Sequence, residues 1–255
     1  MNDLVSVLDV DAGLAELVPQ DRRAEARRAT AAATIVVASG PWREARNPDR
    51  ARGGFGLLVV GGTMIRRVGI GGRYGAELLG PGDLLRPWQR EGATIGVDWS
   101  WRALTQTRLA VLDTRWAARA APWPQLGAEL AGRALARSVR TVIAMAITQQ
   151  PRLEERLWML FWELADRYGH VHADGVHLDL PLTHEVLSHL AGARRPSVSG
   201  ALTRLAATGT IRVPGLTPWS GGDPEGRRGG GTPRLRTALL RYQLGQARVD
   251  VQHAD

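Results

Sequence analysis

Cysteine and lysine are both absent from the 255 residues, and each absence removes chemistry. Without cysteine there is no disulfide, no thiolate-held iron–sulfur cluster and no thiol switch. Without lysine there is no G-x-x-x-x-G-K-[ST] phosphate loop, so Gly53-Gly54, Gly61-Gly62, Gly71-Gly72 and Pro81-Gly82 read as turns. No apolar run approaches the roughly 18 residues of a membrane span. The amino terminus carries acids and no basic segment ahead of an apolar run, unlike a secretory signal, so the expectation is a cytoplasmic protein. Histidine is missing before His170, and the six that follow (His170, His172, His177, His184, His189, His253) lack zinc-ligand spacing. Neither a metal nor a cofactor is expected, and with no nucleophile–base cluster in view the chain does not read as an enzyme.

What is present points to two folded domains. The hydrophobic content is 44%, enough for packed cores, and the formal charge is +8, with all 33 basic residues arginine. Residues 1 to about 30 read as a helical lead-in, with Leu14, Leu17 and Val18 on its apolar face and a solvated, charged Asp21–Ala29 segment. From about Thr34 to Asp113, short β-rich runs (TIVVAS, GLLVVGGTMIRRVGI, GAELLGPGDLL, RLAVLD) separated by glycine turns predict a β-roll or barrel. VVGG-TMIRR reads as a hairpin turning at Gly61-Gly62. Residues 126–150 predict one long helix on which Ala128, Ala131, Leu135, Val139, Val142, Ala146 and Gln149 follow alternating three- and four-residue steps, the seam of a paired coiled coil. The alternative is an amphipathic helix lying on its own roll. Pro151 marks a hinge, and RLEERLWMLFWELADRYG is a second helix with Leu153, Leu157, Leu160, Phe161 and Leu164 inward.

LPLTHEVLSHLAGARRPSVSGALTRLAATGTI, Leu180 to Ile211, reads as two short helices joined by a tight turn. Thr183 is placed to cap the first, and Gly192 to stop it. Pro196 opens the second, Val198, Ala201, Leu202 and Leu205 form its buried stripe, and Gly209 ends it. Arg194 and Arg195 sit at its amino end, with Ser197, Ser199, Gly200, Thr203 and Arg204 off the stripe. Such a helix can enter a major groove, where arginine bonds guanine O6 and N7 and a further arginine neutralises phosphate. The same pattern also fits an ordinary helical hairpin with a solvated basic face. After Ile211, IRV is a plausible strand, VPGLTPWSGGDPEGRRGGGTPRLR predicts a flexible wing or disordered segment, and TALLRYQLGQARVDV could form a short helix.

THEVLSHLAGARRPSVSGALTRLAATGTI resembles the helix-turn-helix of the cyclic-AMP receptor/fumarate-nitrate regulator (Crp/Fnr) family of bacterial transcription factors. Thr183, Leu187, Leu190, Gly192, Arg195, Ser197, Val198, Leu202 and Leu205 fall on its pattern. The resemblance implies an α+β chain: an amino-terminal β-roll similar to a cyclic-nucleotide-binding jelly roll (1–123), a dimerisation helix (124–150), a winged helix-turn-helix (151–215) and a flexible Gly/Pro/Arg-rich tail (216–255). It implies DNA contacts from Thr183, Arg194, Arg195, Ser197, Ser199, Thr203 and Arg204, with Arg195 and Ser199 on bases and Thr183 and Ser197 near phosphates. The dimer interface would include Leu135, Val139, Val142 and Ala146. The partners implied are double-stranded DNA and a second copy, with RNA polymerase and a small-molecule effector as further ones.

Two departures stand in the second helix: Pro196 where many members carry a base-reading Glu, and Gly200 where many carry a second Arg. LGPGDLL (Leu79–Leu85) and ALTQTRLAVLD (Ala103–Asp113) resemble the strands flanking the family's phosphate cassette. Arg86-Pro87 and Val97-Asp98-Trp99 stand where its glutamate and arginine would be, which argues against cyclic AMP. Instead the segment offers an effector pocket of Arg86, Trp88, Trp99 and Trp101. Strand alternation puts Trp99 and Trp101 on one face, either to stack a planar ligand or to plug a degenerate cavity.

Overall fold

The computed structural model describes residues 4–43, 53–88, 94–173, 175–212 and 238–240. It divides into two compact units, one of Met1–Gln149 with Ser188–Gly192, the other of Gln150–Leu187 with the residues from Ala193 on.

In the first unit, β1 (Leu4–Ser6) is followed by α1 (Val7–Val10), α2 (Ala12–Glu16), a 3-10 turn and α3 (Arg23–Ala29). The lead-in is thus not wholly helical: β1 pairs antiparallel with β2 (Ala31–Val37). Leu14 and Val18 are buried as expected, whereas Leu17 is exposed. The strands β3 (Gly40–Pro41), β4 (Gly56–Gly61), β5 (Met64–Ile70), β6 (Arg73–Leu79), β7 (Leu84–Leu85), β8 (Asp98–Ala103) and β9 (Thr107–Leu112) complete two sheets. Their orders are β1-β2-β9-β4-β7 and β3-β8-β5-β6.

The period-2 alternation of side chains explains the layering. Leu57 and Val59 of β4 and Leu109 and Val111 of β9 point between the sheets, where they meet Met64, Leu79, Trp101 and Ala103. Leu58, Ala110 and Leu112, one residue out of phase, point to the other face and pack under helices with Leu14, Trp116, Leu126 and Leu130. The expected Gly61-Gly62 hairpin is not formed. β4 pairs with β7 and β9, while β5 pairs with β6 and β8, so these glycines lie on a crossover between sheets. The hairpin is β5–β6 instead, turning at Gly71-Gly72 with φ of 56° and 76°, the left-handed pair a two-residue hairpin loop requires.

After α4 (Thr114–Ala120), α5 runs from Pro124 to Gln149. At about 100° per residue, Leu126, Leu130, Arg133, Arg137, Arg140 and Ile147 share one face. Leu126, Leu130 and Ile147 are buried there, and the three arginines reach acids of the same unit. Arg133 pairs with Asp11 and Arg140 with Asp83 (3.1 Å). Arg137 donates from Nε and Nη2 to the two oxygens of Glu77 (2.5 and 2.7 Å) and from Nη1 to the Leu84 carbonyl (2.9 Å).

Glu77 lies opposite Arg66 in the β5–β6 register, and Arg66 lies opposite Trp101 across β5–β8. Arg66 Nη2 also reaches Glu77, at 2.9 Å. Burial alone would push the Glu77 carboxyl up. The Arg137 hydrogen bonds and the charges of Arg137, Arg66 and Arg140 more than offset it and hold the group below its ordinary 4.5.

The second unit contains α6 (Leu153–Tyr168), β10 (Gly169–His172), β11 (Gly175–Leu178), α7 (His184–Leu190), α8 (Arg195–Ala207), β12 (Ile211–Arg212) and β13 (Ala238–Leu240). Leu157, Leu160, Phe161 and Leu164 of α6 are buried, as are Val198, Ala201, Leu202 and Leu205 of α8, which are their expected faces. The sheet order is β10-β11-β13-β12. The start of the expected carboxy-terminal helix is therefore a strand, which pairs with both β11 and β12. The extended backbone of Ala238–Leu240 takes up ladder positions left open on both neighbours, and a helix there would leave them unpaired. The predicted flexible segment between β12 and β13, and the residues after 240, lie outside the described residues.

Replacing Glu77 by Ala should destabilise the first unit by about 3 kcal/mol, the scale for removing one partner of a largely buried pair, read from the urea midpoint at pH 7. Because the folded carboxyl titrates below 4.5, the unfolded chain binds more protons as pH falls. The stabilisation is complete above 4.5 and is lost as pH drops through the folded value. Glu77→Gln should show a flatter loss of stability below pH 4.5 than the parent.

Candidate nucleic-acid interface

The helix pair is built as the sequence pattern requires. Thr183 Oγ1 accepts a hydrogen bond from the Val186 amide at 3.1 Å, the cap of α7. The turn passes through Gly192 with φ of 59°, and α8 carries proline in its first turn. With the stripe from Val198 to Leu205 facing inward, the ridge directly opposite it is Pro196, Gly200, Thr203 and Ala207. This ridge offers little to hydrogen-bond with. The Thr203 hydroxyl already donates to the Ser199 carbonyl at 3.1 Å.

Polar reach is concentrated at the amino end. Arg194, Arg195 and Ser197 are exposed. Arg194 is the cap residue of α8 but makes no side-chain cap bond. Ser199, expected on a base, is only partly exposed, and its hydroxyl is engaged. It donates to the Arg195 carbonyl at 3.2 Å and lies 2.8 Å from Nδ1 of His184. Burial, and then the nearby charge of Arg195, hold His184 below its ordinary 6.5, so it is neutral at pH 7.

Arg204, expected at a phosphate, donates from Nε to Glu154 of α6 at 2.5 Å. Sequence reading missed both His184 and Glu154. The i+15 spacing of His184 and Ser199 is legible only once the turn is folded, and Glu154 looks like an ordinary first-turn acid of α6.

The histidines of the β10–β11 hairpin share a face. His170 is opposite His177, and the rings of His172 and His177 are 4.2 Å apart. Among the described residues no three metal-capable side chains gather at ligand geometry.

The residues expected to line an effector pocket divide between the surface and the core. Arg86 is exposed. Trp101, 6% exposed, packs edge-on against Trp42 at 6.2 Å in the core between the sheets, and Trp88 packs against the same core. Trp99 and Trp101 do share a face, and both flank Arg66, whose guanidinium carbon is 5.7 and 5.9 Å from the ring centres. The Arg66–Glu77–Arg137 group beside them was not anticipated. Its signal was three arginines at i, i+4 and i+7 on the face of α5 away from the seam. The seam positions themselves are open: Leu135, Val139 and Val142 are 71%, 61% and 65% exposed, and Ala146 is exposed as well.

Comparison with known proteins places these features. Residues 155–217 match the model of the Crp-like helix-turn-helix domain. No curated protein matches the chain in sequence. Among solved structures, FixK2 from Bradyrhizobium japonicum is 17% identical with a TM-score of 0.55, covering 83% of this chain and 93% of its own. A CooA mutant from Carboxydothermus hydrogenoformans is 16% identical (TM-score 0.57, 81% and 82% covered). The regulator CLP of Xanthomonas campestris, described as responsive to c-di-GMP, is 15% identical (TM-score 0.53, 90% and 99% covered). No helix among the described residues is long and apolar enough to cross a membrane.

Glu154 sets the availability of Arg204. Glu154→Gln should tighten binding to any DNA duplex and steepen the dependence of log K on log salt by about 0.9, one added phosphate contact. Fluorescence anisotropy across a salt series reads both.

Proposed function

We propose that this chain, whose residues 155–217 are a Crp-like helix-turn-helix domain within the fold of Crp/Fnr regulators, is a transcription regulator that binds a near-palindromic operator as a homodimer. The observation that carries the DNA reading is the exposed Arg194–Arg195–Ser197 group at the amino end of α8. Arg195 reads a guanine in each half-site, Arg194, Thr183 and Ser197 take backbone contacts, and Arg204 adds one only where Glu154 releases it. Thr203 offers a methyl to the groove. The site is the cytoplasmic chromosome, and RNA polymerase is the further partner.

The homodimer reading rests on α5. Its inward face is satisfied by the roll, while Leu135, Val139, Val142 and Ala146 form an apolar stripe about opposite, at coiled-coil spacing. Two half-sites one helical turn apart then follow from the two-fold symmetry.

The effector, where one acts, is not a cyclic nucleotide. Pro87 and Val97 supply neither carboxylate nor guanidinium, and Trp101 is buried in the core between the sheets with Trp88 packed against it. Regulation is by another small molecule against Trp99 and Arg66, or the protein is active without one.

Arg195→Ala should relax preference at one symmetric base position and cost about 1–3 kcal/mol of discrimination there. A binding-site selection with parent and variant checks it, and an unchanged preference at every position would mean that the recognition helix is misassigned. Val139→Glu with Val142→Glu should turn the dimer into monomer in sedimentation velocity by setting like charges across the axis.

A further inference from the structure

We infer that His184 is a positioning residue for base reading: through Ser199 it holds the first turn of α8, and with it the backbone of Arg195. This rests on the reading of Arg195 as the base-reading residue. Helix amino termini expose unpaired amides and are usually tied by a Ser, Thr, Asp or Asn cap. The α8 cap position is Arg194, which makes no such bond, and the turn contains Pro196, which has no amide to give. Left so, the turn that presents Arg195 is held only by its own helical bonds.

The structure supplies a tie from the neighbouring helix. Ser199 Oγ spends its single proton on the Arg195 carbonyl (3.2 Å), so it meets His184 Nδ1 (2.8 Å) as an acceptor. His184 is therefore the Nδ1–H tautomer, donating to Ser199. The donor is itself fixed, because His184 follows the Thr183 cap of α7. The chain from α7 through His184 and Ser199 to the Arg195 carbonyl ends at the residue whose side chain must meet a base edge within a few tenths of an ångström. It also accounts for a serine at position 199 whose hydroxyl is unavailable to DNA.

The test uses the full chain and has two arms. Nitrogen-15 NMR of the free protein reads the tautomer: Nδ1–H is expected in the parent, with the Nε2–H form gaining in Ser199→Ala. A parent in the Nε2–H form overturns the relay irrespective of DNA. Competition binding then compares the selected operator with one changed at the Arg195-read base. His184→Ala and Ser199→Ala should each reduce the discrimination ratio about tenfold, with no further loss in the double variant because both cut one chain. His184→Asn, whose amide nitrogen stands where Nδ1 does, should restore it. Undiminished discrimination in His184→Ala, additive losses, or no rescue by Asn would each overturn the proposal. So would equal weakening on all sequences with a shallower salt slope, the mark of a direct phosphate contact. A parent that selects no operator at all would bring down the DNA reading, and the positioning role with it, whatever the tautomer.

Discussion

The carboxylate of Glu77 is the constraint on which the first unit turns. It sits between two guanidiniums, one from the sheet and one from the long helix, and neither cation could be buried there alone. A buried ion pair adds little net stability compared with apolar packing, but it is unforgiving of misplacement. Here that intolerance sets the rotation of α5 about its own axis. Arg133, Arg137 and Arg140 can meet Asp11, Glu77 and Asp83 in one rotational setting, and in that setting the apolar stripe faces solvent. An all-leucine inner face would hold the helix as firmly with far less say over its rotation. Of the two expectations for this helix, the amphipathic helix on its own roll describes the inward face, and the expected seam positions Leu135, Val139 and Val142 stand exposed on the other.

Where the pattern was periodic and locally determined, the sequence was informative. The buried stripes of α6 and α8, the Thr183 cap and the Gly192 turn follow from spacing and residue type alone, and they stand in the structure as expected. Pairing was harder. Gly61-Gly62 carries a strong hairpin signal, but register across a roll is decided by which face each strand buries, and β4 and β5 bury theirs from opposite sheets. The strand at Ala238–Leu240 was hidden for a related reason: three short-side-chain and leucine residues have no period to read, and their partners are set by an edge about 60 residues upstream.

The candidate site divides in the same way. The exposed arginines at the start of α8 were legible because exposure follows from the stripe. The engagement of Ser199 and Arg204 was not, because both partners come from other helices. The tryptophans mislead instructively. Alternation correctly put Trp99 and Trp101 on one face, but alternation does not say what else occupies that face. Arg66 does, and its positive charge came from a strand whose sequence reads as an ordinary basic run.

The order of the first sheet, β1-β2-β9-β4-β7, bears on how the chain acquires its shape. The last strand of the roll lies at the middle of that sheet, flanked by strands that precede it by some 70 and 50 residues. Non-local pairings of this kind pay their loop-closure entropy before they return any contact energy, and they set slow folding rates. The sheet has no centre until β9 arrives, whereas Glu77 already stands in the β5–β6 hairpin of the other sheet. The long helix is made after β9 in the chain, so its arginines emerge only when the roll has become able to receive them. Within the first unit the order of synthesis therefore matches the order of assembly: the apolar stripe of α5 emerges after the acids that fix the helix's rotation.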